Sequence, residues 1–295
     1  MLNILNDFKQ VSDQYKCVFC DLWGCLHNGK ESFQKSLDAL LNFKKNGGIV
    51  ILLTNSPRPS ETVKKQIEHL GIAKFYFDEI VTSGDAAQLA LFSGEFGKNI
   101  FHIGTKHDLS FFEIRPKLLS TPINVNLVDI SKASSIVCTG LFNNLVEQPS
   151  DYDEIIFEGI SRQLPFLCAN PDIQVDFGHQ RLWCAGAIAE NYEKSGGTSL
   201  YFGKPHKPVY DLALKKLHEI NPTVSKSEII CIGDGILTDI LGGISYGLDT
   251  LFVTGGLSDQ DTGTTNGELS PNEEKLTSFL QKANVIPTNS IGYLR

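Results

Sequence analysis

Apolar residues along this chain follow two rhythms, short unbroken runs and stripes at helical spacing, and the two alternate. Cys17–Val18–Phe19–Cys20 is one run and ends in Asp21; Ile49–Val50–Ile51–Leu52–Leu53 is another and ends in Thr54–Asn55–Ser56–Pro57. Such uniformly apolar runs predict parallel strands buried on both faces. Between them Phe33, Leu37, Leu40, Leu41 and Phe43 recur at helical spacing, which predicts a helix from about Ser32 to Asn46, stopped by Gly47–Gly48. A helix over about Ser60–Leu70 and a strand over about Glu79–Thr82 continue the alternation. The first sixteen residues read as a short leading helix.

The last third repeats the grammar. A helix over about Pro208–Glu219 precedes the strand Glu228–Ile232, which runs into Gly233–Asp234–Gly235. A helix over about Thr238–Tyr246, a strand over Thr250–Val253 and a helix over about Asn272–Lys282 follow; the polar stretch Ser258–Pro271 reads as a mobile surface loop. Strand–helix alternation of this kind predicts a doubly wound parallel sheet. About a hundred intervening residues carry strand candidates of their own, Asn99–Ile103, Ser135–Thr139 and Phe166–Ala169, and read as an inserted second domain. The expected division is a core of residues 1–84 and 197–295 and an insertion of residues 85–196. Ligands of such sheets bind beyond the carboxyl ends of the strands, so Asp21, Thr54 and Asp234 are expected together.

Composition narrows the partners. A chain of 295 residues with 41% hydrophobic and 20% charged content is globular and long enough for two domains. No apolar run approaches the roughly 18 residues of a membrane span, and the start lacks the pattern of a signal peptide, so a cytoplasmic protein is expected. The net charge of −8 and the lack of a basic stretch argue against nucleic acid or a membrane surface as partner, but not against a small anion. The seven cysteines are scattered. Cys17 and Cys20, three apart on a strand, face opposite ways and would not clasp one metal, so reduced core cysteines are expected.

Chemistry gathers at the strand ends. A carboxylate is a capable nucleophile toward phosphorus once the negative charge on both partners is neutralised. That takes a hard cation on oxygen ligands, typically magnesium, with a lysine and hydroxyl or amide donors around the phosphoryl oxygens. Asp21, Asp234, Lys204, Thr54 and Asn55 supply those parts, and a covalent aspartyl-phosphate hydrolysed by water is the natural route. Each part alone is an ordinary cap, turn or surface residue; the order of all of them carries the reading. Gly233–Asp234–Gly235 fits a dinucleotide fingerprint poorly, because Thr238 stands where a glycine belongs.

Asp21–Leu22–Trp23–Gly24–Cys25–Leu26, Leu53–Thr54–Asn55, Gly203–Lys204–Pro205 and Gly233–Asp234–Gly235–Ile236–Leu237–Thr238–Asp239 resemble the four ordered motifs of haloacid dehalogenase-like hydrolases. The Cys184–Glu193 stretch followed by Gly196–Gly197, with Gly203–Tyr210, is similar to class IIA, the nitrophenylphosphatase-like and sugar phosphatase branch. The resemblance implies a Rossmann-like α/β core with a large α/β cap inserted between the second and third motifs. It implies Asp21 as nucleophile and magnesium ligand, the main-chain carbonyl of Trp23 and the Asp234 carboxylate as further ligands, and Asp239 as a ligand directly or through water. Thr54 and Asn55 would hold the phosphoryl group, and Lys204 would neutralise it and position Asp21. A small phosphorylated metabolite is the implied substrate, and relatives often pair through the cap, so a homo-oligomer of that kind is expected.

Trp23 departs from the pattern: the usual phosphatase has there a second aspartate, which protonates the leaving alcohol and then activates water. Such assistance is typically worth about 10²–10⁴ in rate. Three readings stay open. The substrate has a good leaving group; or His27 relays protons, against its simpler role as a turn residue; or the protein binds a phosphate compound without rapid turnover. Slow or selective hydrolysis is favoured, with a non-catalytic phosphate-ligand protein and a phosphotransferase or mutase as alternatives. In the insertion, Asp172, Asp176, His179 and Arg181 are candidates for choosing the substrate or plain surface residues, Arg181 foremost because a guanidinium grips a carboxylate or phosphate bidentately.

Overall fold

The computed structural model describes residues 2–177, 180–265 and 269–295, without the side chains of Asp176 and Phe177. By its contacts the chain divides into two units, one of Met1–Thr54, Lys64–Val81 and Tyr210–Arg295, the other of Asn55–Val63 and Thr82–Val209. Fourteen strands are described: β1 (Ile4–Leu5), β2 (Cys17–Cys20), β3 (Ile49–Thr54), β4 (Glu79–Thr82), β5 (Asn99–Ile103), β6 (Asn126–Leu127), β7 (Ser135–Cys138), β8 (Phe166–Cys168), β9 (Gln174–Phe177), β10 (Gln180–Trp183), β11 (Ser199–Tyr201), β12 (Ile229–Gly233), β13 (Asp249–Val253) and β14 (Asn289–Ile291).

The sheet of the first unit has the order β1-β14-β13-β12-β2-β3-β4. From β2 the chain winds outward through β3 and β4, then returns to build β12, β13 and β14 on the other side, so the direction reverses between β2 and β12. That pair is parallel, with Cys20 opposite Ile232, and β2 is parallel to β3, with Cys20 opposite Leu52. All of Cys17–Cys20 and Ile229–Gly233 is buried, as their unbroken apolar runs require. Phe252 packs with Ile236, Ile240, Leu276 and Leu280 on one face.

The second unit carries a five-stranded sheet of order β11-β8-β7-β5-β6, parallel throughout, and the antiparallel hairpin β9–β10. Its core joins Ile136, Cys138, Phe166 and Cys168 of the strands to Tyr152, Ile156, Ile188 and Tyr192. The α/β fold with a parallel-sheet core and a substantial α/β insertion is the architecture the sequence implied.

Three expectations need correction. Residues 1–16 are not a helix: Ile4–Leu5 pairs in parallel with Ser290–Ile291, and only two short turns follow, Phe8–Gln10 and Ser12–Gln14. Asp7 caps the first turn by accepting from Lys9 N–H at 2.8 Å, and a strand partner 286 residues away overrides local preference. The segment at Thr238 is not the start of a plain helix; Ile236–Ile240 forms a wide turn, with Ile240 N–H reaching back to the Gly235 carbonyl at 3.1 Å, and the regular helix is Leu241–Tyr246. Nor is the start of the polar stretch after Ser258 a loose surface loop. Thr262 and Thr264 are fully buried, and their hydroxyls meet each other and Thr254 at 3.0 and 2.7 Å. Residues 266–268 of that stretch lie outside those described. All seven cysteines are buried and none forms a disulfide. No helix among the described residues is long and apolar enough to cross a membrane.

Candidate active site

In the first unit, Asp21 follows β2 and Asp234 follows β12, at the point where the winding of the sheet reverses. Asp21 N–H extends the ladder by donating to the Ile232 carbonyl at 2.8 Å, which sets the two strand ends side by side. Both carboxylates are buried, 7% and 3% exposed, and one atom each of Asp21, Asp234 and Cys25 lies within 4.8 Å of the others. Two carboxylates at such a separation repel by about 3–4 kcal/mol at an effective dielectric constant near 20, so the arrangement calls for a cation.

The backbone crowds the Asp234 carboxylate from two sides. A Cβ on Gly24 would fall 1.8 Å from Asp234 Oδ2, and one on Gly256 would fall 2.1 Å from it. Leu257 N–H donates to the same oxygen at 2.9 Å. Asp239, on the wide turn, is 5% exposed and accepts from Gly235 N–H at 3.1 Å. Thr54 ends β3 on the same edge, 2% exposed. The donor set suits a hard divalent cation, because carboxylate oxygens dominate; burial, and then the negative Asp234 and its neighbours, push the Cys25 thiol's pKa well up. The sequence motifs gave Cys25 no role; its only signal was a position four residues after Asp21.

The loop after β2 is a compact turn. Leu26 N–H and His27 N–H both donate to the Leu22 carbonyl, and Gly24 N–H donates to the His27 carbonyl at 3.0 Å. The His27 ring meets the half-buried Trp23 edge-on, 4.9 Å between centroids, and its Nδ1 accepts from Gly29 N–H at 3.0 Å. Burial lowers its pKa to about 4.

In the second unit, Asn55 brings two distant stretches together. Its Oδ1 accepts from Lys204 N–H at 2.7 Å, and its Nδ2 donates to the Lys204 carbonyl at 3.0 Å and to Asp172 Oδ1 at 2.8 Å. Asn55 and Lys204 are 4% and 2% exposed. Arg181 lies exposed on β10, opposite Asp176 in the hairpin register. His179 lies outside the described residues, as does the side chain of Asp176.

Comparison with known proteins agrees with this geometry. A model of haloacid dehalogenase-like hydrolases matches residues 18–114, and a second, HAD-hydrolase-like, matches residues 201–275. The crystal structure of a haloacid dehalogenase-like family hydrolase from Brucella suis 1330 is 38% identical, covers 98% of this chain and 99% of its own, and superposes with a TM-score of 0.84. A structure described as a possible sugar phosphatase of the HAD superfamily, from Cytophaga hutchinsonii, is 23% identical over 98% of this chain and 97% of its own, with a TM-score of 0.78, and shares the fold. Acid sugar phosphatase of Staphylococcus aureus is 26% identical over 253 residues, 83% of this chain and 88% of that protein. The chain belongs to the haloacid dehalogenase-like hydrolases. Within them, the curated relatives it matches are named as an acid sugar phosphatase and a 5'-nucleotidase.

Proposed function

We propose that this enzyme hydrolyses a small phosphate monoester, a sugar phosphate or similar metabolite, through an aspartyl-phosphate at Asp21. The observation that carries the reading is the buried Asp21–Asp234 pair within 4.8 Å at the reversal of the sheet. Magnesium is the cation that fits; Asp21, Asp234, the main-chain carbonyl of Trp23 and Asp239 would hold it, and it would neutralise charge on the phosphoryl oxygens.

In the first half-reaction an Asp21 carboxylate oxygen attacks phosphorus, the bond from phosphorus to the leaving oxygen breaks, and that oxygen departs with the bonding pair and takes a proton from solvent to become the alcohol. In the second, water attacks phosphorus, the acyl-phosphate bond breaks, and inorganic phosphate and the free carboxylate result. Lys204 supplies positive charge beside the phosphoryl group, Thr54 its hydroxyl, and Asn55 its main-chain N–H. Residues 1–84 and 197–295 act as the catalytic core and residues 85–196 as the cap that selects substrate, with Arg181 gripping a second anionic group. Pairing of two copies through the cap and a cytoplasmic location belong to the same reading. The sugar phosphatases among the relatives support the substrate class.

Trp23 favours slow turnover or esters with good leaving groups, and keeps a phosphate-binding or phosphoryl-transferring role as the second reading. The test is phosphate release from a panel of aryl and alkyl phosphates, with and without magnesium, for wild type and Asp21→Asn. Magnesium-dependent release that disappears in the variant is expected. Binding of magnesium without release from any ester would transfer the assignment to a ligand-binding protein.

A further inference from the structure

We propose that Asn55 and Asp172 are positioning residues for Lys204: the Asn55 carboxamide brackets the lysine's main chain, and Asp172 fixes the carboxamide's orientation. The consequence for rate rests on the phosphatase reading above; the bracket itself does not.

Asn55 engages both polar groups of one peptide residue, accepting from Lys204 N–H at 2.7 Å and donating to its carbonyl at 3.0 Å. A side-chain amide so used mimics a neighbouring strand, and it holds a residue 149 positions away in the chain. Rotating the amide by half a turn would set Oδ1 against the Lys204 carbonyl and the Asp172 carboxylate, two acceptors. The Asp172 contact at 2.8 Å therefore reinforces the orientation that the Lys204 N–H and carbonyl require.

Asp172 is itself anchored. Its N–H donates to Asn170 Oδ1 at 3.1 Å, and its carbonyl accepts from Gly186 N–H at 3.2 Å, at the start of the helix Ala185–Lys194. That approach is close enough that a Cβ on Gly186 would lie 2.2 Å from the Pro171 carbonyl oxygen. On the other side Gly203 leaves no room either: its Cβ would lie 2.4 Å from Asn55 Oδ1 and 2.7 Å from both Pro171 Cδ and Ser83 Oγ. A rigid path thus runs from the Ala185 helix through Asp172 and Asn55 to the lysine. With its carboxamide spent on this bracket, Asn55 acts through Lys204 rather than by side-chain contact with phosphate.

The experiment compares the full-length wild type with Asn55→Ala, Asp172→Ala and Asp172→Asn by kinetics on one aryl and one alkyl phosphate and by hydrogen exchange of the peptide containing Lys204. A displaced lysine is expected to lower kcat by about 10²-fold, equally for both esters and with little change in KM, in both alanine variants. Asp172→Asn keeps an acceptor oxygen for Asn55 and recovers most of that loss. The alanine variants exchange Lys204 N–H faster, on the order of tenfold, whereas Asp172→Asn does not. Effects confined to KM, or differing between the two esters, would mean direct contact with substrate and overturn the proposal. Unchanged exchange in both alanine variants would overturn the bracket itself. If wild type released no phosphate from any ester, the phosphatase reading would fall, and the exchange arm alone would still decide the bracket.

Discussion

Gly24 offers a sharp test of the proposed metal pocket, because the structure separates what its replacement does to the fold from what it does to the site. Gly24 holds φ at +71°, and Gly24→Ala would place a methyl 1.8 Å from Asp234 Oδ2. To reach an ordinary contact of 3.4 Å the carboxylate must retreat by about 1.6 Å, losing its 2.9 Å bond from Leu257 N–H. Gly256 crowds the carboxylate as well, so little free space receives it. The left-handed backbone costs an alanine about 1–2 kcal/mol, and the lost hydrogen bond about 1 kcal/mol more. A total of about 2–3 kcal/mol lowers Tm by roughly 5–10 °C and leaves the chain folded. Activity should suffer far more, since a ligand carboxylate displaced by over an ångström costs on the order of 10²-fold or more. Gly256→Ala, where no left-handed φ is involved but the added Cβ would also lie 2.5 Å from Asp234 Cβ, should lose activity to a similar degree. The assays are phosphate release, its magnesium dependence, and thermal unfolding with and without magnesium. A Gly24→Ala enzyme that loses stability but keeps its rate within about threefold would refute the argument, because Asp234 would then not need its present position.

Three further outcomes follow from single contacts. Burial holds the His102 pKa at about 4 against a weaker upward pull from Asp108; since the folded value lies below the unfolded 6.5, its stability contribution is complete above pH 6.5. It is lost as pH falls toward 4, by up to about 3 kcal/mol, and His102→Gln should flatten that slope in urea unfolding. Gly84→Ala would place a Cβ 2.1 Å from the Pro57 carbonyl oxygen, a backbone atom, and should destabilise by about 1–3 kcal/mol, read as a lower Tm. Trp23→Asp should raise turnover of alkyl phosphates relative to aryl ones, by up to about 10²–10⁴-fold; an unchanged ratio would show that another group already serves as acid.

The parts of the fold legible in the sequence are those whose cause is local. Strands buried on both faces must be apolar at every position, so β2, β3 and β12 announced themselves, and the strand-end rule then placed Asp21 and Asp234 together. Ile4–Leu5 was illegible because its reason for being extended, β14, arrives only at Asn289. The crowding of Asp234 by Gly24 and Gly256 was hidden for the same reason: no local pattern says that a glycine leaves room for a carboxylate on another strand. Asn55 shows the limit most clearly. Its position after Thr54 suggested a donor for phosphate, while its side chain is committed to residues 117 and 149 positions away.

His27 bears on how the leaving group departs. With Nδ1 accepting from Gly29 N–H at 3.0 Å and a pKa near 4, the ring is neutral at pH 7. It would carry its second proton in roughly one molecule in a thousand, and gaining that proton at Nδ1 would break the bond that closes the turn. A general acid must be protonated at the working pH, so on this geometry His27 would serve the loop that carries Trp23 and Gly24 rather than the leaving oxygen. The burden then falls on the substrate. An aryl or otherwise acidic alcohol can leave as its anion, whereas a sugar hydroxyl needs a proton from solvent or from the substrate's own groups. Selectivity for leaving-group acidity would thus arise at Trp23, two residues after the proposed nucleophile, and selection by shape would remain the work of the proposed cap.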